Sequence, residues 1–200
     1  PDNHRARLWL GSTLEQLERI ADAENVYEAV PDTSDYIVSA QLAYANLLMR
    51  NEEHAQSERV LKTLDANHQT FLTREALGIQ YLIREDYEKA LPYFDAMVKS
   101  MSEEELADNS NPLFHRGVCL SETGQFETSV ADFKRVLELN PESADALNYL
   151  GYTWVDRGEN LSEAFDMIRK AVKLEPDSGA IIDSLGWAHY KLGQYSEARV

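Results

Sequence analysis

The feature that most constrains this chain is its internal repetition. Small residues recur at Gly11, Ala45, Gly78, Gly117, Gly151 and Gly186, with successive separations of 34, 33, 39, 34 and 35 residues. A second small column follows at Ala23, Ser57, Ala90, Ser129, Ala164 and Ala198, and four residues beyond it stands a bulky side chain: Tyr27, Leu61, Phe94, Phe133 and Ile168. Apolar residues around both columns have helical spacing, so each unit reads as two helices. Their backbones approach closely where small faces small, and the large residue fills the gap above. A period of this length marks a linear array in which each unit contacts only its neighbours.

The breaks between helices fit the same scheme. Gly124, Gly158 and Gly193 lie seven residues after the first small column and suit a left-handed helix end. In the first three units the same position is held by Glu18, Glu52 and Glu85, which predicts less favourable turns. Pro141 and Pro176 end helices between units, and Ser143 and Ser178 offer caps for the next ones. The 39-residue spacing places five extra residues within 99–109, where Ser102 and Glu105 have capping-box spacing and predict a restarted helix.

This grammar resembles the tetratricopeptide repeat. The resemblance is carried by Leu150-Gly151-Tyr152-Thr153-Trp154, Ala164, Ile168 and Pro176 in the fifth unit, and by Gly117, Phe126, Ser129, Phe133 and Pro141 in the fourth. It implies an all-α fold, a right-handed α-solenoid of antiparallel helix pairs, running as a single array over residues 4–200. The approximate units are 4–37, 38–70, 71–109 with the acidic connection 99–109, 110–143, 144–178, and an incomplete 179–200. The chain opens at Pro1 and stops inside the sixth unit. It therefore reads as an excerpt of a longer protein, with fraying after about residue 193 or association through an uncapped end as the expectation, the latter allowing a homo-oligomer.

Charge and motifs exclude several functions. The 35 acidic against 19 basic residues give a net charge of −16, which repels a phosphate backbone, so nucleic acid is not an expected partner. No run approaches the roughly 18 apolar residues of a spanning helix. Phosphate-loop, zinc-hydrolase, nucleophile-elbow and calcium-loop motifs are missing. His4, His54, His68, His115 and His189 are scattered, and Cys119 sits in an apolar helix as an inert thiol. Glu103-Glu104-Glu105 reads as a solvated run. No catalytic residue, metal or cofactor is expected.

The resemblance also implies that the first helix of each pair lines the inside of the array. Facing away from the packing seam are Leu72, Glu75, Ile79 and Leu82 in the third unit; Asn111, Phe114, Val118 and Ser121 in the fourth; Asp145, Asn148, Tyr152 and Val155 in the fifth; Ala180, Asp183, Trp187 and Tyr190 in the sixth. The expected peptide-binding groove consists of Phe114, Asp145, Asn148, Tyr152, Asp183, Trp187 and Tyr190. The aromatics would anchor apolar residues, Asn148 would bond a peptide backbone, and the two aspartates would face a cation. The alternative for the aromatics is packing between neighbouring first helices.

The expected function is a non-enzymatic scaffold or adaptor that binds a protein or peptide with apolar and basic residues. Two alternatives stay open: a regulatory or substrate-recruiting region of a larger enzyme, and a self-assembling oligomer. Chaperone-tail binding of the carboxylate-holding type is disfavoured, because Asp145 and Asp183 stand where positive charge is needed. The final third is also similar to multi-repeat proteins of Gram-negative bacteria, some of them envelope lipoproteins. That similarity implies a periplasmic or envelope location, with the cytoplasm left open.

Overall fold

The computed structural model describes residues 3–198, which form twelve α-helices and no strand. In chain order these are α1 (His4–Gln16), α2 (Ile20–Glu28), α3 (Ile37–Arg50), α4 (His54–His68), α5 (Phe71–Ile83), α6 (Tyr87–Ser100), α7 (Glu103–Asp108), α8 (Asn111–Glu122), α9 (Phe126–Leu139), α10 (Ala144–Arg157), α11 (Leu161–Leu174) and α12 (Gly179–Lys191). The architecture is an α-solenoid of helix pairs, and α7 is the restarted helix of the inserted segment.

The small columns mark the places where paired helices touch. A Cβ at Gly117 would lie 2.8 Å from Phe133 Cε1, and one at Gly151 would lie 2.7 Å from Ile168 Cγ1 and 2.9 Å from the Ala164 carbonyl oxygen. The Tyr27 ring occupies the corresponding space at Gly11. Serine in the second column adds a bond that alanine lacks. The Ser57 hydroxyl donates to the Ala45 carbonyl at 2.9 Å, and the Ser129 hydroxyl donates to the Gly117 carbonyl at 2.8 Å. Both serines are fully buried, so the bond satisfies a hydroxyl that would otherwise be costly to bury.

A left-handed residue opens the turn in all six pairs, and the fifth turn is one residue longer, with Asn160 also at a positive φ of 44°. Glu18, Glu52 and Glu85 have φ of 57°, 63° and 58°, close to the 78°, 71° and 75° of Gly124, Gly158 and Gly193. In each turn the next residue donates its N–H to the carbonyl five residues back, as in Arg19 to Leu14 at 2.9 Å and Gln125 to Leu120 at 2.7 Å. The glutamates thus adopt the glycine geometry and carry the Cβ penalty of a left-handed residue.

The contacts divide into two compact units, Pro1–Tyr93 and Phe94–Val200, with the division inside α6. In the first unit, Leu14, Tyr27, Tyr44, Leu47 and Leu48 make one apolar cluster, and Val30, Ile37, Ala40 and Leu64 make another. Glu58 is its polar hub, accepting from Lys62, the Tyr81 hydroxyl and Arg84, each at 2.8 Å. These partners, Lys62 foremost, hold its carboxyl down at about 2.

In the second unit, Leu106 of α7 packs with Leu113, Val136 and Ala146, while Ala144, Leu147, Ala171 and Ile181 form the cluster beneath α10 and α12. The acidic run is partly engaged: Glu105 completes a capping box with Ser102, and Glu103 accepts from Arg135. Arg116 grips Asp132 with two bonds, Nε to Oδ2 at 2.8 Å and Nη2 to Oδ1 at 2.7 Å. The Ser143 hydroxyl caps α10 by accepting from the Ala146 N–H, whereas Ser178 makes no side-chain cap. After α12, residues 195–198 form a single turn, with the Ala198 N–H donating to the Gln194 carbonyl at 3.1 Å. The short second helix expected for the sixth unit is that turn, and Val200 lies outside the described residues. No helix among the described residues is long and apolar enough to cross a membrane.

Candidate functional site

The seven residues singled out from sequence all lie in the second unit, on α8, α10 and α12, and they fall at three depths. Asp145, Tyr152, Asp183, Trp187 and Tyr190 are exposed. Their positions repeat at helical spacing along α10 and α12, which pack against each other, so the stripe is a face of two adjacent first helices. Trp154, two residues from Tyr152, points the other way and is buried.

Phe114 is half-buried in a ring cluster, with centroids 5.4 Å from Tyr149, 5.6 Å from His115 and 5.8 Å from Phe133. Its ring is engaged in packing, the alternative that the sequence left open for the aromatics. Asn148 is buried, at 8% exposure, and its side-chain oxygen accepts no hydrogen bond. A buried amide oxygen without a donor is an uncommon and costly feature beneath this face.

The exposed aromatics are organised. Trp187 and Tyr190 stack at 5.4 Å with 14° between their planes, and Tyr195 meets Tyr190 edge-on at 5.5 Å. Lys191 lies over the Trp187 ring at 5.0 Å, held by the Asp156 carbonyl at 2.9 Å. Asp183 shares a shallow pocket of about 310 Å3 with Gly186, Trp187, Tyr190 and Ala198.

A second pocket of about 310 Å3 is walled by Tyr149, Tyr152 and Phe126, with Glu122, Asp156 and Arg157 at its edge. Arg157 lies 4.5 Å over Phe126 and bonds Glu159, so it is occupied. Burial raises the Tyr152 hydroxyl above its ordinary value, and the carboxylates of Asp156 and Glu122 raise it further. The field around Tyr152 is thus negative and favours a cation.

Asp145 and Asp183 form no ion pair among the described residues. Across this pocket and stripe, Glu122 and Asp156 are contributors the sequence reading missed. Each stands one position past a stripe residue, Ser121 or Val155, so the stripe itself could have pointed to them.

Among the described residues no group of three or more His, Cys, Asp or Glu side chains could hold a metal ion. Cys119 is fully buried, and burial pushes its thiol up to about 12, so the thiolate nucleophile is suppressed. His115 has its pKa lowered by burial, against the opposing pull of Asp145, and its Nδ1 is unpartnered.

Comparison with known proteins agrees with this architecture. Residues 120–181 match the family model described as tetratricopeptide repeat. Over 193 residues the chain is 31% identical to the TPR repeat-containing protein PA4667 of Pseudomonas aeruginosa, covering 94% of this chain and 31% of that protein. The chain therefore spans less than a third of that relative's length. Among solved structures it is similar to YrrB, a TPR protein with an unusual peptide-binding site, at a TM-score of 0.68 and 20% identity, covering 88% of each chain. It is also similar to a tetratricopeptide repeat protein from Parabacteroides merdae, at a TM-score of 0.78 and 15% identity, covering 98% of this chain and 75% of that one.

Proposed function

We propose that this chain, a tetratricopeptide repeat protein and by its fold a protein–protein interaction module, holds a protein segment with apolar and basic residues against α10 and α12. It acts without catalysis of its own and serves as a scaffold that brings partners together. The observation that carries the reading is the exposed aromatic set Tyr152, Trp187 and Tyr190, lying beside Asp145 and Asp183 on one face of adjacent helices. Exposed aromatics lose solvent contact on binding and supply most of the energy of a typical interface. The aspartates are positioned to select a lysine or arginine over an acidic residue. Asn148 lies beneath the same stripe, and its buried side-chain oxygen is out of reach of a segment laid on the exposed face, so the backbone contact expected of it is not part of this reading.

Panning a library of random twelve-residue peptides against the protein tests this reading. Enriched peptides should combine aromatic or aliphatic residues with Lys or Arg. Their affinity should fall about 30-fold or more in Tyr152→Ala/Trp187→Ala, corresponding to about 2 kcal/mol for a hot spot. Peptides bound equally by the double variant would place recognition elsewhere and refute the proposal.

A further inference from the structure

The first unit carries a separate feature that the stripe on α10 and α12 does not explain. Along α3, Leu42, Asn46 and Met49 face Leu72, Glu75, Ile79 and Ile83 of α5 across a pocket of about 260 Å3, with Leu61 at its base. Leu72 and Ile83 are 53% and 66% exposed, so the apolar rim is open to solvent. The pocket is smaller than the roughly 300–1,000 Å3 clefts that enclose small molecules. Its size suits one protruding side chain. Asn46, Met49 and Ile83 also line an adjoining trough of about 630 Å3 that runs towards Trp9 of α1. The two hollows together accommodate an extended segment.

Glu75 is the chemically distinctive member. It is half-buried among these apolar side chains and pairs with no cation among the described residues. Arg50, the cation lining the adjoining trough, is committed to Glu15. Of the other two polar groups at the pocket, Asn46 and Gln80, the latter already donates to the His54 carbonyl at 2.9 Å. Burial alone raises the Glu75 carboxyl above the usual carboxylate range. A partly desolvated carboxylate with no partner is a cost in the free protein, and a cation arriving with a bound segment removes it.

We propose that this trough is a second recognition site, which takes a protein segment carrying a lysine or arginine beside an aliphatic residue. Glu75 pairs with the cation, and the pocket between Leu42, Leu61 and Ile79 seats the aliphatic side chain. Charge complementarity argues for this occupant. An acidic segment is repelled by Glu75 and by the net charge of −16, and a purely apolar one leaves the carboxylate buried and unpaired. The site is independent of the face on α10 and α12.

The test uses Tyr152→Ala/Trp187→Ala as background, so that the other face is weakened and the Glu75→Gln arm reads this site. A library of random twelve-residue peptides is panned against this variant, and the enriched peptides are titrated against it with and without Glu75→Gln. The expected result is enrichment of Lys or Arg within one to three positions of Leu, Ile or Val, and binding weakened about tenfold or more by Glu75→Gln. The Gln variant should fold at least as well as its parent, since it removes an unpaired charge. Enrichment of peptides without a basic residue, indifference to Glu75→Gln, or no enrichment at all overturns the proposal. Because the background lacks Tyr152 and Trp187 and Glu75 lies outside that face, failure here leaves the reading of that face intact.

Discussion

Replacing Gly151 with alanine isolates the close helix approach on which each repeat depends. In most helix interiors Gly→Ala stabilises by about 0.8–1.0 kcal/mol, because alanine restricts the unfolded chain and suits the helix. At Gly151 the new methyl would sit 2.7 Å from Ile168 Cγ1 and 2.9 Å from the Ala164 carbonyl oxygen, where ordinary contact begins at 3.4 Å. Ile168 could turn, but the Ala164 oxygen belongs to the backbone of α11, so the helices must separate by several tenths of an ångström. Overpacking of this kind costs about 1–3 kcal/mol. After the propensity gain, the net loss is about 0–2 kcal/mol, up to several degrees in Tm for a chain of this size, with the backbone contact at 2.9 Å favouring the upper part of that range.

Urea unfolding followed by far-UV circular dichroism and by the fluorescence of the tryptophans, Trp154 among them, measures it. Gly179→Ala serves as control, since nothing lies within 4 Å of a Cβ there and its effect should be neutral or stabilising. An unchanged or raised urea midpoint for Gly151→Ala, with an unaltered slope, would show that the small column is not what sets the helix separation.

Two further outcomes follow from the turns and from Glu58. Replacing Glu18, Glu52 or Glu85 by glycine should stabilise the protein by up to about 1 kcal/mol each, because a left-handed residue with a Cβ is strained, whereas Gly124→Ala should destabilise by a similar amount; thermal melts of the four variants check the opposite signs. Glu58→Gln should cost about 1–2 kcal/mol at pH 7, allowing for the water around Lys62. The folded carboxyl titrates near 2, below its unfolded value, so this contribution is complete above the ordinary carboxylate range and is lost as pH falls towards 2. Urea midpoints of wild type and variant should therefore converge between pH 5 and pH 2, and a difference that persists at pH 2 would assign the stabilisation to packing.

Much of the fold was legible in the chain because helix pairing rests on residue size at fixed intervals. Gly11, Gly117 and Gly151 announce their large partners Tyr27, Phe133 and Ile168 sixteen or seventeen residues in advance. The Ser102–Glu105 spacing likewise announces α7, since a capping box is local chemistry. What local pattern could not supply was the use of the second-column serines, whose hydroxyls bond carbonyls on another helix.

For the candidate site the division is sharper. Helical periodicity fixed the face on which Phe114, Asn148, Tyr152 and Trp187 stand, because phase along one helix is a property of the sequence. Depth is a property of the neighbours. Tyr149 and Phe133 draw Phe114 into a ring cluster, and the packing around α10 buries Asn148, while Tyr152 and Trp187 stay exposed at equivalent phase. Glu75 illustrates the same limit: its stripe with Leu72 and Ile79 is plain in the sequence. Only the placement of Leu42 and Met49 on α3 opposite it turns an ordinary surface carboxylate into an unpaired one half-removed from water.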